Sequence, residues 1–216
     1  MDIEQARFNM IEQQIRPAGV LDEAVLGALG RMRREEFVPA ARRELAFAQL
    51  QLPLGYGQVM FDPVVEAQIL QALQLRRSDK VLEIGTGSGF MAALMGALAG
   101  HVVTLESSPG LAVEARENLY GAGVDNVHVE QADGAQGFPA QAPYDAILAS
   151  GAVPDVPQCW LNQLAPGGRL LVFVEEGEYM QARLLRKQAS GDIHAEDVFA
   201  TRVPYLNLGS DHRFRF

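Results

Sequence analysis

The chain has 216 residues, 48% hydrophobic and 21% charged, which suits one globular domain with a sizeable core and excludes two independent ones. Its formal charge of −9 argues against a nucleic-acid partner, since phosphate-backbone affinity rests on clustered Lys and Arg. The single cysteine, Cys159, cannot close an internal disulfide, and the start Met1-Asp2-Ile3-Glu4 lacks a signal peptide's basic head and apolar core, so a cytoplasmic setting is expected.

Phe8, Ile11 and Ile15 fall at helical spacing and stop before Pro17-Ala18-Gly19. A second helix is expected near Asp22, with Val25, Leu26, Leu29 and Met32 inward, and Phe37-Val38-Pro39 ends this helical prelude. Arg31, Arg33, Arg34, Arg42 and Arg43 interleave with Glu35, Glu36 and Glu44, the pattern of a solvated helix face. Gln51-Leu52-Pro53-Leu54-Gly55-Tyr56-Gly57-Gln58 is rich in turn residues and reads as a loop. A third helix begins at Asp62-Pro63 and turns Val64, Val65, Ile69, Leu70 and Leu73 to the core. Asp62 is expected as its N-cap, the alternative being a carboxylate turned toward a binding site.

From Lys80 onward strands and helices alternate, the pattern of a parallel sheet covered on both faces. Strands are expected at 80–84, 101–106, 126–131, 144–149 and 169–174, and helices at 90–99, 111–121 and 157–164. The apolar stretch 90–100 is about half the ~20 residues of a bilayer span, so no membrane partner is expected. Two further strands, 182–187 and 195–203, join through a Gly191-Asp192 turn, and the tail 211–216 alternates charge with Phe214 and Phe216. The expected fold is therefore α/β: a doubly wound, mostly parallel sheet in a single domain. Residues 1–75 form the helical prelude and a loop, 76–178 the core, and 179–216 the antiparallel strands and tail.

The most informative stretch is Val81-Leu82-Glu83-Ile84-Gly85-Thr86-Gly87-Ser88-Gly89-Phe90, a buried strand emptying into a glycine loop that opens a helix. Glycines let the backbone approach a ligand, and free N–H groups at a helix start favour its electron-rich groups. Phe90 stands where the dinucleotide fingerprint places its third glycine, which argues against a nicotinamide-dependent enzyme. Glu83 can face a cationic amino group of the kind adenosylmethionine carries. Glu106, ending the second strand, can accept both ribose hydroxyls, a device that NAD sites share. Asp133-Gly134, ending the third, can cap an adenine amine and lie against its ring; helix capping or a solvated turn is the plainer reading of Glu106 and Asp133. Cys159 beside Trp160 has no basic neighbour and reads as packing. His101, His128, His194 and His212 lack ligand spacing, so no metal is expected.

In order along the chain, these segments resemble the protein-L-isoaspartate O-methyltransferase family, within the adenosylmethionine-dependent enzymes of Rossmann-like fold. The resemblance covers nearly the whole chain. It is carried by Arg33-Arg34-Glu35-Glu36-Phe37-Val38-Pro39, the 52–58 loop, the glycine loop, Asp133-Gly134, Ala142-Pro143-Tyr144-Asp145-Ala146-Ile147, Pro166-Gly167-Gly168-Arg169-Leu170 and Arg202-Val203-Pro204-Tyr205-Leu206. It implies methyl transfer from adenosylmethionine, leaving adenosylhomocysteine, to the side-chain carboxylate of isoaspartyl residues in damaged proteins or peptides. Glu83, Gly85, Thr86, Gly87, Ser88 and Gly89 are assigned to the amino-acid end and backbone of the cofactor, Glu106 to its ribose, and Asp133 and Gly134 to its adenine. Gln58, Val59, Met60 and Phe61 are expected between cofactor and acceptor. The resemblance also brings 203–206 near the acceptor, where an edge strand with a proline is the plainer reading.

One loop departs from the family pattern, which resembles Gly-Gln-Thr-Ile-Ser-x-Pro, whereas this chain reads Gly57-Gln58-Val59-Met60-Phe61-Asp62-Pro63. Neither Val59 nor Phe61 can donate a hydrogen bond where the family has hydroxyls. Losing a hydrogen bond to a charged acceptor costs ~1.5–3 kcal/mol. Three readings follow: isoaspartyl methylation with backbone N–H groups near 57–61 holding the carboxylate; a small-molecule acceptor stacked on Phe61; and a non-catalytic adenosylmethionine-binding protein.

Overall fold

Val81, Leu82 and Ile84 are buried on both sides of one strand, which requires a central position in a parallel sheet. In the computed structural model, which describes residues 2–209, that strand is β3 (Lys80–Ile84). β4 (His101–Glu106) and β5 (Val127–Gln131) lie on one side of it; β6 (Tyr144–Val153), β7 (Leu164–Glu176), β8 (Tyr179–Lys187) and β9 (Ile193–Thr201) lie on the other. The seven-stranded order is β5-β4-β3-β6-β7-β8-β9, parallel through β7 and antiparallel at β7/β8 and β8/β9. Chain direction across the sheet reverses beside β3, so the crevice at its carboxyl end is where such folds bind ligands.

Alternate residues feed two cores. Val81, Val102, Ala146 and Leu171 face the layer holding α3 (Pro63–Leu73) and α4 (Phe90–Leu98); Leu82, Val103, Ile147 and Leu170 face Trp160 and α6 (Gln158–Asn162). α5 (Pro109–Gly121) follows β4. The expected helix at 157–164 is cut to α6 because the chain enters β7 at Leu164; β6 and β7 outrun their expected ends.

The prelude differs in four places. α1 (Ile3–Met10) runs into a π-helical turn, Ile11–Ile15, whose wider i→i+5 step puts Met10 and Ile15 inward and leaves Phe8 58% exposed. In α2 (Glu23–Arg31), Val25, Leu26 and Leu29 are buried as expected, while Met32 ends the helix half-buried. The solvated arginine face holds for Arg31, Arg33, Arg42 and Arg43, but Arg34 and Glu35 are buried because each has an ion-pair partner, Glu66 and Arg7. Fourth, the 51–58 stretch is a β-hairpin: β1 (Leu52–Gly55) pairs with β2 (Gln58–Met60), and Tyr56 at its tip has φ 54°.

Asp62 caps α3, accepting from Val64 N and Val65 N at 3.1 and 3.0 Å, as its position before Pro63 anticipates. β9 ends at Thr201, two residues short of the expected end at 203, and the chain then crosses the carboxyl end of β6. There Ala152 N donates to Pro204 O and Leu206 N to Ala152 O, both at 2.9 Å. The reading of the tail 211–216 lies outside the described residues.

Candidate active site

β3 ends at Ile84 and the glycine loop turns beneath the 202–208 segment. Gly85 has φ 100°, a backbone conformation that requires glycine, and a Cβ there would also lie 2.8 Å from Leu206 Cδ2. Four of the loop's N–H groups are already engaged within the protein. Gly85 N and Thr86 N donate to Leu105 O at 2.9 and 3.1 Å, Gly89 N donates to Thr86 O at 3.0 Å, and Gly87 N donates to Glu106 Oε2 at 2.9 Å. The loop is thus a preformed wall joined to the end of β4, and its glycines supply the positive φ of 100°, 55° and 85° that the turn needs.

That wall bounds a cavity of about 380 Å³, within the size range of small-molecule sites. The strand ends Ile84, Leu105 and Ala132 form one side, Leu206 and Leu208 another, and the hairpin residues Tyr56, Gln58 and Val59 close over it. A smaller chamber adjoins through Val59, Gly85, Gly87 and Ser150; Met60, Phe61, Glu66, Glu83 and Ser88 line it further.

Glu106 and Glu83 mark two regions of this space. Glu106 accepts from Gly87 N and Ser108 N, both at 2.9 Å; a carboxylate has about four acceptor positions, so two remain for a ligand. Glu83 is fully buried, accepting from Thr104 Oγ1 at 2.6 Å and Ser150 Oγ at 2.8 Å. Burial pushes its carboxyl up to about 8 against the pull of both hydroxyls, and the Glu106 carboxylate adds to the rise.

Asp133 does cap the turn that follows it. Its Oδ1 accepts from Ala135 N at 2.9 Å and caps the short 3-10 turn Gly134–Gln136, leaving Ala132 and Gly134 as the cavity wall. Gly134 is sterically required: a Cβ there would lie 2.2 Å from Ile84 Cγ2. Phe61 differs from its reading as a stacking platform. Its ring packs edge-on against Phe173, centroids 5.7 Å apart, and only 6% of the residue is exposed. Cys159 packs as expected, its Sγ 3.4 Å from Ala135 O.

Sequence reasoning missed Ser150 and Thr104, the partners of Glu83, and the buried pair Arg34–Glu66. Glu66 did leave a signal. It shares the helical stripe of Ile69, Leu70 and Leu73, where a charge needs a buried partner.

A mostly parallel sheet, a glycine loop after β3 and carboxylates at successive strand ends define a Rossmann-like methyltransferase. A family model described as protein-L-isoaspartate(D-aspartate) O-methyltransferase matches residues 5–213. The chain belongs to that family. It is 44% identical over 183 residues to the protein-L-isoaspartate O-methyltransferase of Koribacter versatilis, covering 85% of this chain and 82% of that one. A Rhodopseudomonas palustris relative of the same name is 41% identical over 203 residues, covering 93% and 82%. A solved protein-L-isoaspartate O-methyltransferase superposes with a TM-score of 0.82 at 26% identity, covering 95% of this chain and 67% of that one. A Plasmodium falciparum beta-aspartate methyltransferase, solved in complex with S-adenosyl-L-homocysteine, shares the fold with a TM-score of 0.82 at 17% identity, covering 97% and 100%.

Proposed function

We propose that this protein methylates the side-chain carboxylate of isoaspartyl residues in damaged proteins and peptides, with adenosylmethionine as donor. The observation that carries this reading is the cavity itself. It holds Glu106 with two acceptor positions to spare, adjoins the buried Glu83, and opens beside the hairpin into the chamber under Phe61. These residues fit the cofactor: Glu106 would hold the ribose hydroxyls, Ala132 and Gly134 would line the adenine side, and Glu83 would face the ammonium. Asp133 supports the adenine wall through its cap.

Adenosylmethionine, when bound, supplies an electrophilic sulfonium methyl. An ionised carboxylate is already a nucleophile, so the chain is asked for position and dryness and needs no general base. Met60, Phe61 and Phe90 keep water from the smaller chamber. Since Val59 and Phe61 donate nothing from their side chains, the acceptor's hydrogen bonds come from the loop backbone and the Gln58 amide. The buried Phe61 ring disfavours the aromatic small-molecule acceptor. No helix among the described residues is long and apolar enough to cross a membrane, and a cytoplasmic location belongs to the same proposal.

The test is transfer of labelled methyl from adenosylmethionine to an isoaspartyl peptide, scored as base-labile ester against the matched aspartyl peptide. Selective labelling is expected. Bound adenosylhomocysteine with no isoaspartyl ester would overturn the acceptor and keep the cofactor.

A further inference from the structure

Arg34 stands in the short 3-10 turn Arg34–Glu36 and is 1% exposed. A buried guanidinium is tolerated only when its N–H groups are paired. Here Nε donates to Ala46 O at 2.7 Å, one terminal nitrogen donates to Phe61 O at 2.6 Å, and the other pairs with the Glu66 carboxylate, also 1% exposed. The guanidinium lies over the Phe90 ring, 5.0 Å from its centroid. One side chain therefore ties together the acceptor loop, α3 and the first residue of the helix that follows the glycine loop. The three residues it holds in those elements, Phe61, Glu66 and Phe90, all line the smaller chamber.

Two physical consequences follow. A planar peptide whose Phe61 carbonyl points at Arg34 must point its Asp62 N–H the opposite way, while the Asp62 carboxylate is fixed on α3. The loop backbone is thus held on both sides of that bond, where neither Val59 nor Phe61 has a side-chain donor to steer an acceptor. The chamber lining also carries two carboxyl groups, Glu66 and Glu83, and neither Lys nor Arg among the described residues. A carboxylate entering it would be repelled unless both were neutralised. Arg34, lying behind the wall, does this for Glu66.

We propose that Arg34 is the positioning residue of the acceptor chamber: it fixes the loop at Phe61 against the helix after the glycine loop and neutralises Glu66, so that an anionic acceptor can enter. The chemistry of that acceptor rests on the function proposed above; the fixing of the loop does not. Lysine cannot replace Arg34, because one ammonium cannot hold two carbonyls and a carboxylate in the fixed planar fork.

The experiment compares wild type with Arg34→Lys and with the double variant Arg34→Met/Glu66→Gln, which leaves no buried charge and so keeps the test open if the single variant does not fold. In a variant that folds, KM for an isoaspartyl peptide is expected to rise at least ~10-fold, as loss of charge-assisted hydrogen bonds implies. The Kd for adenosylhomocysteine should stay within about twofold, since none of the groups assigned to the cofactor bonds to Arg34. Amide hydrogen exchange in the adenosylhomocysteine complex should quicken at 59–62. Unchanged KM and unchanged exchange, or KM and Kd rising together, would overturn the proposal. Should wild type leave the peptide unlabelled, the acceptor reading fails on its own, and exchange at 59–62 alone decides the role of Arg34.

Discussion

Cofactor binding should expel a proton from Glu83. In the ligand-free protein this carboxyl is buried against two hydroxyls, with the Glu106 carboxylate nearby and its own titration pushed up to about 8. An ammonium bound there requires the ionised form. Roughly 0.9 of a proton per site is then released at pH 7, and close to none at pH 9. Ionising the group at pH 7 costs about 1.4 kcal/mol, so the contribution of Glu83 to affinity should strengthen as pH rises from about 7 toward about 8, before the ligand's own α-ammonium loses its proton. Calorimetric titration with adenosylhomocysteine, in buffers of different ionisation enthalpy, reads proton release as the slope of observed heat against buffer enthalpy. Glu83→Gln should abolish both the slope and the rise in affinity attributable to this group. A flat slope in wild type at pH 7, or the same slope in Glu83→Gln, would refute the reasoning. Stability runs the opposite way. Between 4.5 and about 8 the folded chain holds a proton at Glu83 that the unfolded chain has released, so the ligand-free protein loses stability as pH rises through that window.

Three further outcomes are expected. Glu106→Ala removes the acceptor of Gly87 N and Ser108 N together with the ribose contacts, and should weaken adenosylhomocysteine by at least ~10-fold in a direct binding assay; unchanged affinity would remove Glu106 from the site. Phe61→Ser should destabilise the protein by about 3 kcal/mol in urea denaturation, because the ring is packed on Phe173, while raising isoaspartyl methylation below the melting temperature through its new hydroxyl; an undiminished urea midpoint would show that the ring is not core. Gly110→Ala would place a Cβ 2.3 Å from the Tyr56 hydroxyl and push that ring off the cavity. Since Tyr56 is 68% exposed, stability should change by less than ~0.5 kcal/mol while bound adenosylhomocysteine exchanges faster; an unaltered off-rate would mean that the tip does not gate the cavity.

Much was legible in the sequence because it is written in local pattern. Strands β3, β4, β6 and β7 carry buried apolar runs, and the alternation of strands with helices fixes a doubly wound sheet. Glu83, Glu106 and the glycine loop follow from counting positions at strand ends, and Asp62 before Pro63 announces its own cap. What tertiary structure alone decided concerns partners far apart in the chain. The burial of Arg34 depends on Glu66, 32 positions away, and the partners of Glu83, Thr104 and Ser150, stand 21 and 67 positions away. An interleaved run of arginine and glutamate looks solvated until another element offers a buried carboxylate. Phe61 looks free to meet a ligand until Phe173 of β7 takes its ring. The hairpin at 52–60 likewise contains only two short strands and many turn residues, and it forms because pairing Leu52 with Met60 satisfies backbone groups where the chain crosses the cavity. Local periodicity records which face of an element is apolar. Which charge is neutralised, and which ring is covered, is set by contacts that only the folded chain makes.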